Sequence, residues 1–231
     1  MAARRFLITG GSQGIGAALV ERARAAGHTV IFTGRNERLI EAVAGKTGAY
    51  GVRADVGRGE DNARLVGECR DRMSGIDVLI NNAGYAYRAE IGAMDVDAMR
   101  AMFETNVFGL VDLSNRVVPI MKAQHDGDIV NVASTSGMKG AATATAYAAS
   151  KWAVRGISQC WQAELRPHGI RVMSLCPSEV QTDFGGRTGR NNPNKLYADD
   201  IAATIMAALD LPHRVLWPEL AVFATNPWKE D

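Results

Sequence analysis

Cysteine is scarce in this chain, and long apolar runs are missing altogether. The three cysteines, Cys69, Cys160 and Cys176, are odd in number and widely spaced. They make neither a disulfide framework nor a Cys-x-x-Cys metal pair, so a reducing compartment and no metal are expected. No excess of charge exists either: Lys+Arg 26 against Asp+Glu 25 leaves +1. Without a global field, nucleic acid and anionic lipid are poor partners, and a small or locally recognised one is expected. No apolar run approaches the ~18 residues that span a bilayer. The stretch before Gly10 also falls short of the roughly 7–15 apolar residues of a signal peptide. A cytoplasmic protein with no membrane partner is expected.

What the 231 residues do hold is 47% hydrophobic and 22% charged side chains, enough for a large core. Short β-branched runs alternate with longer helical patterns. Strands are predicted at 6–9, 29–33, 50–52, 77–80, 129–133, 170–175 and 220–224, with helices at about 15–26 and 146–166. Several strands are apolar without strict alternation, as expected when helices cover both faces. Right-handed βαβ connections then give an α/β fold, one doubly wound parallel sheet in one domain. The conspicuous irregular stretch is 183–194, rich in Gly, Arg and Asn, and a mobile segment near 183–197 is expected there.

Thr9-Gly10-Gly11-Ser12-Gln13-Gly14-Ile15-Gly16 joins the first strand to the first helix. Glycines permit a sharp turn and a close backbone approach. The helix start behind them offers N–H groups and a positive dipole end to a pyrophosphate. By itself the stretch also fits a tight βα turn with no ligand. NAD enzymes of this architecture tend to place an acid at the end of the second strand. Here Gly34 stands in that place and Arg35 follows, and a guanidinium suits a 2′-phosphate. NADP is therefore expected over NAD, the alternative for Arg35 being a solvated surface residue.

Tyr147 and Lys151 fall one turn apart on one helix face. A free tyrosine titrates near pH ~10, and a neighbouring ammonium lowers that value toward proton transfer. Ser134 closes the fifth strand, at the sheet edge where ligands bind in open parallel sheets. Taken singly, the pair is a commonplace helix contact and the serine a turn cap.

Together these residues resemble the short-chain dehydrogenase/reductase family in its single-domain branch. Thr9-Gly10-x-x-x-Gly14-x-Gly16 matches the family's nucleotide turn, and Asp55-Val56 its adenine-contacting pair. Asn81-Asn82-Ala83-Gly84 resembles its Asn-Asn-Ala-Gly element, and Pro177-Ser178-Glu179-Val180-Gln181-Thr182 the segment around the nicotinamide. Asn106, Ser134, Tyr147 and Lys151 fall on its catalytic tetrad. The resemblance implies a Rossmann-like catalytic domain, NADP(H) as cofactor, a small carbonyl or alcohol substrate, and a homodimer or homotetramer. Tyr147 is then the proton donor, Lys151 the group that lowers its pKa and holds the ribose, Ser134 the group that positions the carbonyl. Asn106 is expected to anchor a water beside Lys151. Cofactor contacts fall to Gly10, Ser12, Gln13, Gly14, Ile15, Gly16, Arg35, Asp55, Val56, Asn82, Ala83, Gly84, Pro177, Val180 and Thr182, with Tyr147 and Lys151.

Two departures stand out. Ser178 replaces the family's common Gly, and Ser12-Gln13 lacks the basic residue of many NADP-preferring members. Specificity is expected in the least patterned stretches, which offer Tyr87, Arg88, Met138, Lys139, Phe184, Arg187, Arg190 and Lys195. The basic residues of 183–197 either attract an anionic substrate or keep a loop solvated. Gln124-His125-Asp126-Gly127-Asp128 lacks the basic patch that docks an acyl carrier protein, so a 3-oxoacyl-carrier-protein reductase is the lesser alternative. A non-catalytic NADP-binding redox sensor is another, disfavoured by the complete tetrad. Too few residues follow Thr182 for the substrate domain of a nucleotide-sugar epimerase. Of Trp152 and Trp161, on opposite helix faces, one is expected in the core and the other at an interface.

Overall fold

The computed structural model describes residues 2–182, 184 and 192–228. Most of the irregular stretch expected near 183–197, with Arg187 and Arg190, lies outside the described residues.

The strands are β1 (Arg5–Ile8), β2 (Thr29–Gly34), β3 (Tyr50–Arg53), β4 (Val78–Asn81), β5 (Gly127–Val132), β6 (Ile170–Pro177), β7 (Val180–Gln181), β8 (Leu196–Tyr197) and β9 (Glu219–Val222). Seven of them form one parallel sheet in the order β3-β2-β1-β4-β5-β6-β9, and β7 pairs with β8 apart from it. The helices are α1 (Gly14–Ala25), α2 (Glu37–Thr47), α3 (Gly59–Met73), α4 (Val96–Phe103), α5 (Gly109–Gln124), α6 (Thr145–Leu165) and α7 (Ala198–Leu209).

The strands' apolar runs are sorted by the pleat, since successive side chains point to opposite faces. Phe6, Ile8, Val30, Phe32, Val78 and Ile80 enter one core with Leu19 and Val20 of α1, Ile40 of α2 and Ile201 of α7. Leu7, Ile31, Leu79, Ile129 and Val172 enter the other with Leu65 of α3, Leu113 of α5 and Leu165 of α6. The expected doubly wound sheet is what forms. The last strand is Glu219–Val222, two residues shorter at its end than predicted, because its ladder partner β6 stops at Pro177. Trp161 packs into the core, whereas Trp152 is 51% exposed beneath the Arg155 guanidinium. No helix among the described residues is long and apolar enough to cross a membrane.

At the lower edge of the sheet Asp128 of β5 receives a two-pronged ion pair from Arg171 of β6, at 2.6 and 2.9 Å. Arg4 adds a second contact at 2.6 Å. The Arg171 guanidinium also donates to the carbonyls of Leu209, Leu211 and Val215. Helix α7 has no basic residue in its own last turn, so Arg171 supplies the cation its C-terminus favours.

Sheet order reverses at β1, which lies between β2 and β4. Ligands of open α/β sheets sit in the crevice at such a switch point, outside the C-terminal strand ends.

Candidate active site

Three loops meet over that crevice. The turn after β1 is held by the loop after β4: Asn82 Nδ2 donates to the carbonyls of Thr9 (2.9 Å) and Gly10 (3.1 Å). Thr9 Oγ1 in return accepts the N–H groups of Asn82 and Ala83, both at 3.0 Å. Gly10 and Gly14 adopt φ of +64° and +55°, and a Cβ at Gly16 would come within 2.2 Å of the Gly10 carbonyl oxygen. Glycine is required at these positions by backbone shape and by contact. No side chain caps the first turn of α1, no acid stands in it, and its residues Gly14, Ile15 and Ala17 line the cleft. These residues fit a pyrophosphate-bearing cofactor.

The cleft has a volume of about 1870 Å³. Every catalytic and cofactor residue nominated from the sequence lines it except Gly16 and Asn106. Gly16 lies beneath the turn, where its role is close packing. Tyr85, Asn36, Thr105 and Tyr197 also line the cleft; nothing in the sequence pattern singled them out.

At one end β2 finishes in Gly34. A Cβ there would stand 2.5 Å from Ser12 Oγ and 3.0 Å from Ile40 Cγ1, so an acidic side chain has no room. Arg35 is exposed on the cleft wall and pairs with no carboxylate among the described residues.

At the other end Ser134, Tyr147 and Lys151 converge, all 9% exposed or less. Ser134 follows β5 and caps a short turn through the Ser136 N–H, 3.1 Å from Oγ. Lys151 Nζ donates to the Val132 carbonyl at 2.8 Å and lies 5.8 Å from the centre of the Tyr147 ring. Burial lowers the Lys151 pKa to about 8. Burial also raises that of Tyr147, only partly countered by the Ser134 hydroxyl and by the nearby Arg88 charge. The Lys151 ammonium is turned to a backbone carbonyl, and desolvation is the largest influence on Tyr147. Asn106 sits in a π-helical turn (Glu104–Phe108), its amide donating to Tyr85 O and Ser150 Oγ and accepting the Tyr85 N–H. It positions the loop after β4 and the start of α6.

Of the specificity candidates, Arg88, Phe184 and Lys195 line the cleft, the Phe184 ring 5.8 Å from that of Tyr147. Lys195 is engaged by Glu179 at 3.1 Å. Tyr87 packs on Met102, and Met138 and Lys139 do not reach the cleft.

Residues 4–193 match the short chain dehydrogenase family. The chain belongs to this family. An uncharacterized oxidoreductase of Staphylococcus saprophyticus is 36% identical over 222 residues, 94% of this chain and 95% of its own. Among solved structures, the closed form of a serine dehydrogenase complexed with NADP+ shares 28% identity, with a TM-score of 0.90 over 94% of both chains. An alcohol dehydrogenase of the archaeon Thermococcus sibiricus, complexed with 5-hydroxy-NADP, has the same fold. Its TM-score is 0.89 over 100% of both chains at 24% identity. This short-chain dehydrogenase is an oxidoreductase with a Rossmann-like sheet.

Proposed function

We propose that this short-chain dehydrogenase transfers a hydride between NADP(H) and a small carbonyl or alcohol substrate, working as a single catalytic domain. One observation carries the reading: the glycine turn and the Ser134, Tyr147 and Lys151 side chains line the same cleft. Bound there, the nicotinamide would supply or take up the hydride.

In reduction Tyr147 Oη gives its proton to the nascent alkoxide, and in oxidation it takes one back. Ser134 Oγ holds the carbonyl oxygen where negative charge develops. Lys151, once drawn from the Val132 carbonyl, favours the phenolate and holds the ribose. Asn106 keeps Tyr85 and Ser150, and so the start of α6, in register. A cytoplasmic homodimer or homotetramer belongs to the same reading, with Phe108 (55% exposed) and Trp152 as apolar surface for a second copy.

The preference for NADP is supported by the closed space at Gly34 and the unpaired Arg35 beside it. The neighbouring serine dehydrogenase, which was solved with NADP+, adds to it. The test is a fluorescence titration with NADPH and NADH, on wild type and Arg35→Ala, followed by a screen of ketones and aldehydes. Loss of a charged hydrogen-bond partner costs about 1.5–3 kcal/mol, so NADPH affinity should fall roughly 10- to 100-fold while NADH affinity holds. Equal binding of both cofactors by wild type would remove the NADP assignment.

Lys151 adds a pH dependence. Its folded-state pKa is lowered from 10.5 to about 8, so the cation is present below that value and is lost as pH rises through it. NADPH affinity should decline above about pH 8, and Lys151→Met should flatten the profile. A wild-type profile that stays level to pH 10 would disprove a ribose-holding cation.

A further inference from the structure

Arg88 is an exposed cation at the mouth of the cleft, beside the proton donor. Its guanidinium carbon lies 6.0 Å from the centre of the Tyr147 ring. No carboxylate pairs with it among the described residues. The other described cations lining that end are engaged: Lys195 with Glu179, and Lys151 with the Val132 carbonyl. Among the described residues Arg88 is therefore the unpaired cation facing the place where a substrate carbonyl meets Tyr147.

The segment that carries Arg88 is held on both sides. The Tyr85 N–H donates to Asn106 Oδ1 at 3.0 Å, the Tyr87 N–H to Met102 Sδ at 3.3 Å, and the Ala89 N–H to the Thr143 carbonyl at 3.0 Å. Tyr87 is tied once more, its hydroxyl accepting the Asp95 N–H at 2.8 Å. Thr143 itself adopts φ of +62°, a conformation that a β-branched residue rarely takes and that functional loops often store. An exposed arginine on a loosely held loop is a solvated surface charge. On a segment anchored at alternate residues, it is a fixed point from which a ligand can be oriented.

We infer that Arg88 determines specificity by gripping a carboxylate of the substrate, so that the enzyme works on short oxo acids or their hydroxy acids. The inference rests on the assignment of Tyr147 as proton donor, since that fixes where the carbonyl sits. A guanidinium presents two parallel N–H donors that match a carboxylate. Among the described residues the other cations of that end, Lys151 and Lys195, already have partners, and one unpaired guanidinium suits one negative charge better than a phosphate dianion. The short distance to Tyr147 limits the spacer, placing the carboxylate within a few bonds of the reacting carbon. Phe184, beside Tyr147, would cover the apolar methylenes between them.

The test compares succinic semialdehyde with its methyl ester, which share the aldehyde and differ only in charge. Both are reduced with NADPH by wild type, Arg88→Gln and Arg88→Lys. Wild type should prefer the acid, and the acid-to-ester ratio of kcat/KM should fall about 10- to 100-fold in Arg88→Gln, chiefly through KM. Arg88→Lys keeps the charge without the fork and should fall between the two. An ester used as well as the acid by wild type would overturn the inference. So would an Arg88→Gln variant that loses both substrates together and moves the alkaline limb of the pH profile, since Arg88 would then act through Tyr147. If wild type reduces neither compound with either cofactor, the proposed reduction of small carbonyls in this cleft is what has failed. The product acid γ-hydroxybutyrate, titrated calorimetrically into wild type and Arg88→Gln, still decides whether Arg88 holds a carboxylate. Equal binding by the two proteins would overturn it.

Discussion

Tyr147→Phe should lose at least about 10³-fold in kcat for carbonyl reduction, within the range that a positioned general acid contributes. The substitution removes one oxygen and leaves the ring in its packing against Met102 and Ala146. Nothing in the glycine turn or around Arg35 touches that oxygen, so NADPH affinity should stay within a few-fold of wild type. Thermal stability should hold or rise slightly, because a buried hydroxyl is exchanged for apolar surface. Steady-state kinetics beside a fluorescence titration separate the two effects. A variant with near-normal turnover would refute the assignment of the proton donor. One that fails to bind NADPH would mean the phenol supports the site's shape rather than its chemistry.

The second large effect lies far from the cleft. Asp128→Ala should destabilise the fold by about 3–5 kcal/mol, the range measured when one partner of a buried ion pair is removed. The Arg171 side chain is 6% exposed and would keep its charge, leaving carbonyl oxygens as its only acceptors besides any entering water. Domains of this kind have about 5–15 kcal/mol of stability, so the loss is a large share of the whole. Urea denaturation reads it as a lower midpoint at unchanged slope. The double variant Asp128→Leu/Arg171→Met should recover much of the loss, because a packed apolar pair needs no charge compensation. A single variant as stable as wild type would show that Arg4 and the α7 carbonyls carry the network without Asp128.

The two predictions also mark what was legible in the sequence. The sheet was, since Phe6-Leu7-Ile8 and Val30-Ile31-Phe32 are apolar at every position and only a strand covered on both sides accepts that. The glycine turn and the Tyr147 and Lys151 pair were also legible, because local spacing alone puts them on one turn or one helix face. What escaped depends on residues far apart in the chain. Asp128 and Arg171 are 43 residues apart and look like two ordinary charges until β5 and β6 pair. Lys195 and Arg88 looked equivalent as basic loop residues, yet one meets Glu179 and the other meets no acid among the described residues. The direction of the Lys151 side chain and the π-turn that engages Asn106 are tertiary choices with no local signal. Desolvation of Tyr147 belongs to the same class, since it needs the whole wall of the cleft.

The order of the strands has one more consequence, which concerns synthesis. β6 is flanked by β5 on one side and by β9 on the other, and β9 is separated from it by α7. As the chain emerges, six strands can pair before residues 219–222 exist. During that interval the outer edge of β6 over Ser174–Pro177 stands open, its N–H and C=O groups unpaired on that side. The nascent protein is then exposed to edge-to-edge association with its neighbours on the same message. The arrival of β9 covers that part of the edge, Ser174–Pro177.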